Sequence, residues 1–269
     1  MIKTGHHLSD EEIRARYDAL SHRGCLGPEF VEKVLALAGD LNGFVILDVG
    51  CGKGELLGEV AAWYPTAALY GADFSAARLG DAVRRGGSRV TLVEADIQRS
   101  LPFRDAFFDR VFCTNTLEHL KDPERCLREI VRILKPAGRA ILTLPNATGF
   151  APFHRLGAFI PGRWLRGKLL PYEHPCNTDQ PIDTLFEYRE VLDLVRAGGL
   201  DVEAVRGDRY FRYLQMLPLL RTLYAWVYPV VERVMPRVRG ERFAYILLLR
   251  CRKLRGPHER HEPGRAGRH

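Results

Sequence analysis

Hydrophobic positions along the chain fall into short continuous runs that alternate with amphipathic stretches. The run Phe44-Val45-Ile46-Leu47-Asp48-Val49 has the length and composition of a buried strand, and apolar residues over 55–63 recur at helical spacing. The same alternation predicts strands over 67–72, 89–94, 108–114 and 139–144. It predicts helices over 75–85 and 123–134, the second capped by Asp122. Continuous apolar strands separated by amphipathic helices imply a parallel sheet covered on both faces. Two helices precede it. Ser9-Asp10-Glu11-Glu12 has the Ser-x-x-Glu spacing of a capping box, with a helix to about residue 20. Pro28 suits the first turn of a second helix, 29–38, closed by Gly39.

After Leu144 the pattern breaks. Prolines stand at 145, 152, 161, 171, 175 and 181, and residues 146–182 show no clean periodicity. An irregular stretch of that length between regular elements reads as a lid over a site. Regularity returns with a helix over 187–197, a strand over 201–205, a proline-interrupted helical hairpin over 213–234 and a strand over 243–251. The domain plan is one unit over 1–251: cap helices 1–41, a core 42–146, the lid 147–182, and C-terminal strands with the hairpin over 183–251. Residues 252–269, rich in Arg, His, Gly and Pro, read as a disordered basic tail.

Composition narrows the class. Of 269 residues, 46% are hydrophobic and 27% charged, which excludes wholesale disorder. The net charge of +7 suggests nucleic acid until it is located. Residues 1–150 carry 19 basic and 20 acidic side chains, residues 151–251 carry 15 and 11, and the tail 6 and 2. The excess therefore belongs to the C-terminal part. The six cysteines form no CxxC pair and no zinc-like spacing, as expected of reduced thiols. The opening residues are polar, and the apolar stretch over 216–231 is short and broken by Arg221, Pro218 and Pro229. A cytoplasmic protein is expected.

The strand that ends at Val49 runs directly into Gly50-Cys51-Gly52-Lys53-Gly54-Glu55. A glycine-rich turn between a strand and a helix lets backbone groups approach a ligand closely. A dinucleotide fingerprint would need its third glycine where Glu55 stands, and no phosphate loop of the G-x-x-x-x-G-K-[ST] type is present. Asp48-x-Gly50-x-Gly52-x-Gly54 instead resembles motif I of the class I S-adenosylmethionine-dependent methyltransferases. Further landmarks follow in the family's order. They are Asp73 in Leu69-Tyr70-Gly71-Ala72-Asp73, Asp96 in Glu94-Ala95-Asp96-Ile97, the segment Asn115-Thr116-Leu117-Glu118-His119-Leu120, and the turn Lys135-Pro136-Ala137-Gly138. Together they resemble the small-molecule branch that holds the ubiquinone- and menaquinone-pathway methyltransferases.

This resemblance implies an α/β fold, a doubly wound seven-stranded sheet, mostly parallel with an antiparallel last strand, and S-adenosylmethionine as cofactor. It implies that Asp73 binds the ribose hydroxyls, that Asp96 bonds the adenine amino group, and that Ile97 packs on the ring. Asp48, Gly50, Cys51, Gly52, Gly54, Phe74, Asn115 and Leu117 complete the implied cofactor contacts. Methyl transfer is an in-line displacement with a neutral leaving group, so positioning and desolvation dominate. Where the nucleophile must lose a proton, His119 is the leading candidate base and His174 in the lid its rival. Tyr172, His174 and Trp164 are the acceptor-side candidates. No metal is expected, because Pro145-Asn146-Ala147 offers no carboxylate cluster.

Aromatic and aliphatic residues of the lid and hairpin are interleaved with Arg155, Arg163, Arg166, Lys168, Arg209, Arg212, Arg221 and Arg233. Such a mixture fits an amphipathic acceptor or peripheral contact with an anionic membrane, and equally a pocket cover or dimer interface. Nucleic acid is not expected as a partner, since no Asn/Asp-Pro-Pro-aromatic motif follows the fourth strand. The expected activity is methyl transfer to a small-molecule or lipid-like acceptor, at oxygen. The alternatives are carbon or nitrogen methylation of a natural product or glycan, and a non-catalytic S-adenosylmethionine-binding regulator.

Overall fold

A computed structural model describes residues 2–19, 26–150, 180–211, 218–238 and 240–254. Most of the expected lid, with Trp164, Tyr172 and His174, and the tail from 255 lie outside the described residues.

The central sheet is built from β2 (Val45–Val49), β3 (Ala68–Asp73), β4 (Val90–Glu94), β5 (Phe108–Thr114), β6 (Leu134–Pro145), β8 (Leu200–Tyr210) and β9 (Ala244–Lys253). Their order is β4-β3-β2-β5-β6-β9-β8. The first five strands are parallel to their neighbours, and β9 runs antiparallel to both β6 and β8. Seven strands with an antiparallel last one is the expected arrangement. The chain winds outward from β2 through β3 to β4 and then returns to β5 on the other side of β2. In such sheets the crevice beyond the strand carboxyl ends at this reversal is where ligands bind.

Both faces are apolar for a simple reason of period. Ile46 and Phe112 join one buried cluster with α2 (Pro28–Ala38) and α3 (Glu55–Trp63), whereas Leu47, Val49, Val111 and Cys113 join the other with α5 (Pro123–Ile133) and α6 (Tyr188–Ala197). Alternate side chains of one strand thus feed opposite cores. Each leucine taken fully inside contributes about 1.5–3 kcal/mol of transfer free energy. The helices start where their caps direct. Asp122 accepts the Arg125 N–H at 2.9 Å with Pro123 in the first turn of α5. Ser9 and Glu12 exchange the two bonds of a capping box at α1 (Asp10–Ala19), at 2.8 and 3.2 Å.

Several expectations need correction. Of the hairpin expected over 213–234, residues 213–217 lie outside the described residues, and 218–234 make one helix, α7 (Pro218–Val234), which runs through Pro229 without a break. A proline removes one backbone donor, and here tertiary bonds hold the adjoining turns. Tyr224 donates to the Tyr210 carbonyl at 2.6 Å, Glu232 accepts the Arg209 N–H at 3.1 Å, and within the helix Tyr228 donates to Glu232 at 2.6 Å. The strand expected over 201–205 continues to Tyr210 because β9 pairs with it well past its apolar run. Leu134 to Arg139 form a bulge within β6, not a separate turn, and the β5–β6 register shifts across it. A small sheet was not foreseen at all. β1 (Ile2–Thr4) pairs antiparallel with β7 (Asp183–Leu185), too short a pair to show in hydrophobic periodicity. Gly5, at φ +69°, makes it feasible: a Cβ there would fall 1.6 Å from the Pro181 carbonyl oxygen.

Candidate functional site

A cavity of about 420 Å³ opens at the carboxyl ends of β2, β3 and β5, where the strand order reverses. Its floor is the turn after β2. Gly50, Gly52 and Gly54 hold φ values of +75°, +50° and +71°, a region that side chains with a Cβ rarely adopt. A Cβ on Gly50 would meet Thr116 at 2.5 Å, and one on Gly54 would meet Ala82 at 2.9 Å. The three glycines therefore answer two demands, a left-handed turn and the close approach of neighbouring elements.

Two carboxylates lie beneath this turn. Asp73, at the end of β3, accepts the Gly52 N–H at 2.9 Å and the Ser75 N–H at 3.0 Å. Burial pushes its pKa up, and those two backbone bonds and Arg78 pull partly against that. Asp48 is more extreme. It is fully buried within β2, Oδ1 has no hydrogen-bond partner, and burial followed by the charges of Asp73 and Glu55 pushes its carboxyl well above the usual range. A buried carboxylate oxygen without a donor is costly and calls for a donor or cation from the cavity.

The walls come from the following turns. Asp96 accepts the Gln98 N–H at 3.0 Å and pairs with Arg99 at 3.1 Å, and Ile97 beside it is buried. Phe74 lies 4.5 Å from the Tyr17 ring of α1, whose hydroxyl accepts from Arg78 at 2.7 Å. Asn115 sits at φ +48°, a left-handed conformation held by reciprocal bonds with Thr143: its N–H donates at 3.0 Å and its Oδ1 accepts at 3.0 Å. His119 closes the far end. Its Nδ1 lies 2.9 Å from the Ile182 carbonyl, next to β7. The Glu118 carboxylate stands 3.9 Å from Nε2 and that of Asp183 4.0 Å from Nδ1.

The structure thus brings Asp48, Gly50, Cys51, Gly52, Asp73, Phe74, Asp96, Ile97, Asn115 and His119 to one cavity. Gly54 and Leu117 are not on its wall: Gly54 caps α3, and Leu117 is wholly buried in the core behind it. Trp164, Tyr172 and His174 lie outside the described residues. Sequence reasoning missed Asp10, Ile13, Arg14 and Tyr17 of α1, which line the cavity as well. No motif marks them, and α1 has no buried residue to give it a readable apolar face. Among the described residues that line the cavity, six are carboxylates (Asp10, Glu11, Asp48, Glu55, Asp73, Asp96) and four are cations (Arg14, Lys53, Arg78, Arg99). Among the described residues no three His, Cys, Asp or Glu groups are clustered to hold a metal ion.

Comparison with known proteins follows the same outline. Residues 47–142 match the family described as a methyltransferase domain. The chain is 30% identical over 200 residues to the ubiquinone/menaquinone biosynthesis C-methyltransferase UbiE of Desulfotalea psychrophila, covering 70% of this chain and 79% of that protein. It is 34% identical over 122 residues to the O-methyltransferase resE of Aspergillus sclerotiorum, covering 41% of this chain and 46% of that one. In fold it is similar to magnesium protoporphyrin IX methyltransferase from Synechocystis PCC 6803 with bound SAH, with a TM-score of 0.57, 16% identity, and coverage of 91% of this chain and all of that one.

Proposed function

The chain belongs to the class I S-adenosylmethionine-dependent methyltransferases, and from that premise we propose that it methylates a small amphipathic acceptor carrying an acidic hydroxyl, of the quinol kind. S-adenosylmethionine is its cofactor and supplies, when bound, an activated methyl group on a cationic sulfur. The observation that carries the assignment of this cavity is the unpartnered Oδ1 of buried Asp48 within a wall that, among the described residues, holds more carboxylates than cations. Such a wall suits a ligand bearing ammonium and sulfonium charge, since opposite charges attract strongly in a water-poor site.

On this reading the glycine turn with Cys51 lets backbone groups approach the cofactor. Asp73 retains lone pairs for the ribose hydroxyls after accepting its two backbone bonds. Asp96 takes the adenine amino group, Ile97 and Phe74 cover the ring region, and Asn115 flanks the methionine part. Leu117 acts from behind by holding that turn in place.

His119 is the proposed proton acceptor. A carbonyl oxygen only accepts, so the bond to Ile182 assigns the ring proton to Nδ1 and leaves the lone pair on Nε2. The carboxylates of Glu118 and Asp183, on either side, stabilise the imidazolium that forms when the acceptor hydroxyl loses its proton. The oxygen so exposed is the nucleophile that would take the methyl group, with the neutral thioether of S-adenosylhomocysteine as leaving group. Ring-carbon methylation is the second reading, supported by the likeness to a quinone-pathway C-methyltransferase, because the same phenolate also activates its ring carbons.

An acceptor screen with a deuterated methyl donor tests this, with the product located by NMR. His119→Ala is expected to lower kcat at least 100-fold while S-adenosylmethionine affinity stays within about threefold, the range typical of a lost general base. Unchanged turnover would remove His119 from the reaction.

A further inference from the structure

Six of the nine large hydrophobic side chains exposed among the described residues belong to α7 and the turn that continues it, Met235–Val238. Trp226 is 82% exposed, Val230 60% and Leu223 59%, with Val227 and Val234 beside them. Positions 223, 226, 227, 230 and 234 fall within about 100° of the helix circumference at 3.6 residues per turn. The opposite side is the seated one. Tyr224 is buried against Tyr210, and Glu232 is held by Lys33 at 2.8 Å, by Tyr228 and by the Arg209 N–H at 3.1 Å. A contiguous apolar stripe on a helix seated through Tyr224, Tyr228 and Glu232 is a surface with an absent partner.

Charge selects the partner. The one acid of α7, Glu232, is turned inward, while Arg233 and Arg237 are exposed at the carboxyl end of the stripe. A second copy of this chain, meeting the stripe by twofold symmetry, would offer those cations no acid from its own α7, because Glu232 is turned inward. An anionic bilayer satisfies both features, taking the aromatic and aliphatic side chains into the acyl boundary and the arginines at the headgroups. Among the described residues no helix is long and apolar enough to cross a membrane, so the contact would lie in the surface plane.

Topology gives the contact its use. β8 runs parallel to β6, so its carboxyl end lies at the sheet edge that carries the cavity, and α7 leaves from that end and returns into the amino end of β9. We propose that the exposed face of α7, Leu223, Trp226, Val227, Val230 and Val234 with Arg233 and Arg237, docks the protein on anionic lipid with the cavity edge toward the bilayer. Delivery of a lipid-borne acceptor rests on the methyl-transfer reading; the docking does not.

The test is co-sedimentation of the full chain with phosphatidylcholine vesicles, with and without phosphatidylglycerol. Binding is expected with the anionic vesicles only, weakened by salt. Trp226→Ser/Val230→Ser and, separately, Arg233→Glu/Arg237→Glu should each lower the partition coefficient at least tenfold, with melting temperature and S-adenosylmethionine affinity unchanged. Both variants keep the basic tail, so undiminished binding would assign the lipid contact to the tail and overturn the proposal. A dimer in light scattering that Trp226→Ser dissolves would overturn it in favour of a second copy. In a Trp63→Phe/Trp164→Phe background, Trp226 emission must shift to the blue on anionic vesicles, and an unmoved spectrum refutes the insertion even if a double variant unfolds. Loss of cofactor binding by the unaltered chain would strike the methyl-transfer reading alone.

Discussion

The cavity and the outer face of α7 share one edge of the sheet and are built on opposite physical terms. The cavity is concave, with two buried carboxylates under a left-handed glycine turn and more acid than base along its wall. The α7 face is convex, apolar and flanked by arginine. A pocket that binds a cationic cofactor keeps water out and concentrates negative charge. A surface that meets a bilayer must present apolar area openly and carry positive charge. The chain itself is neutral over residues 1–150 and basic beyond them, a contrast that total charge conceals.

The comparison breaks first, and hardest, at Asp73. It ties the Gly52 and Ser75 amides together from beneath, and on the proposed reading it also holds the ribose. Hydrogen bonds to a charged group are each worth about 1.5–3 kcal/mol, so Asp73→Ala should weaken S-adenosylmethionine binding at least 100-fold by calorimetry. Vesicle binding through α7 should be untouched. A cofactor affinity within threefold of the unaltered chain would mean that the acidic floor serves folding alone.

A smaller effect is expected where α7 is anchored. Lys33 of α2 bonds both Asp208 and Glu232, and Asp208 is almost completely buried. Burial alone would lower the Lys33 ammonium's pKa, but the bonds to Asp208 and Glu232 outweigh it and raise it. Lys33→Met leaves Asp208 with Arg209 as its remaining cation. Breaking a buried pair costs about 3–5 kcal/mol, and partial exposure of Lys33 reduces this to about 1–2 kcal/mol of stability. Cofactor affinity should hold while the melting temperature and vesicle binding fall together. If cofactor affinity falls too, the two regions are one cooperative unit.

The two regions also differ in how far the sequence reveals them. The turn at Gly50–Gly54 is legible because a left-handed backbone restricts residue choice, and the acids after β3 and β4 stand at fixed distances along the chain from strands that announce themselves by apolar runs. The α1 residues Tyr17 and Arg14 are not legible, since they reach the cavity from a helix without a buried face. Nor is β1, three residues long, whose partner lies some 180 positions away. For α7 the sequence shows large apolar groups among arginines, which is equally the pattern of a core helix. Only the structure tells which apolar positions, those of Tyr224 or those of Trp226, face inward, and proline at 229 suggested a break where tertiary bonds hold one helix.

The smallest expected effect separates the cavity mouth from α7 by pH. Asp183 in β7 sits 4.0 Å from His119, and burial pushes its carboxyl up to about 6. An unfolded aspartate titrates near about 3.9. Between these values the folded chain holds a proton that the unfolded chain has released. Asp183 therefore makes stability fall as pH rises from about 4 to about 6, and its contribution is level on either side of that window. The linkage sets a ceiling of about 3 kcal/mol, and relaxation at the mouth brings the expected effect to about 1 kcal/mol, or 2–4 °C for a chain of this size. Asp183→Asn cannot release the proton, so the variant should gain stability relative to the unaltered chain across that window. Thermal melts of the two at intervals from pH 4 to 7 show this as a difference that grows and then levels. Parallel melting curves would mean that folded and unfolded chains hold the Asp183 proton alike, and that burial does not raise its carboxyl. In either case vesicle binding by the variant should match that of the unaltered chain at every pH, because Asp183 belongs to the β1–β7 pair and not to α7.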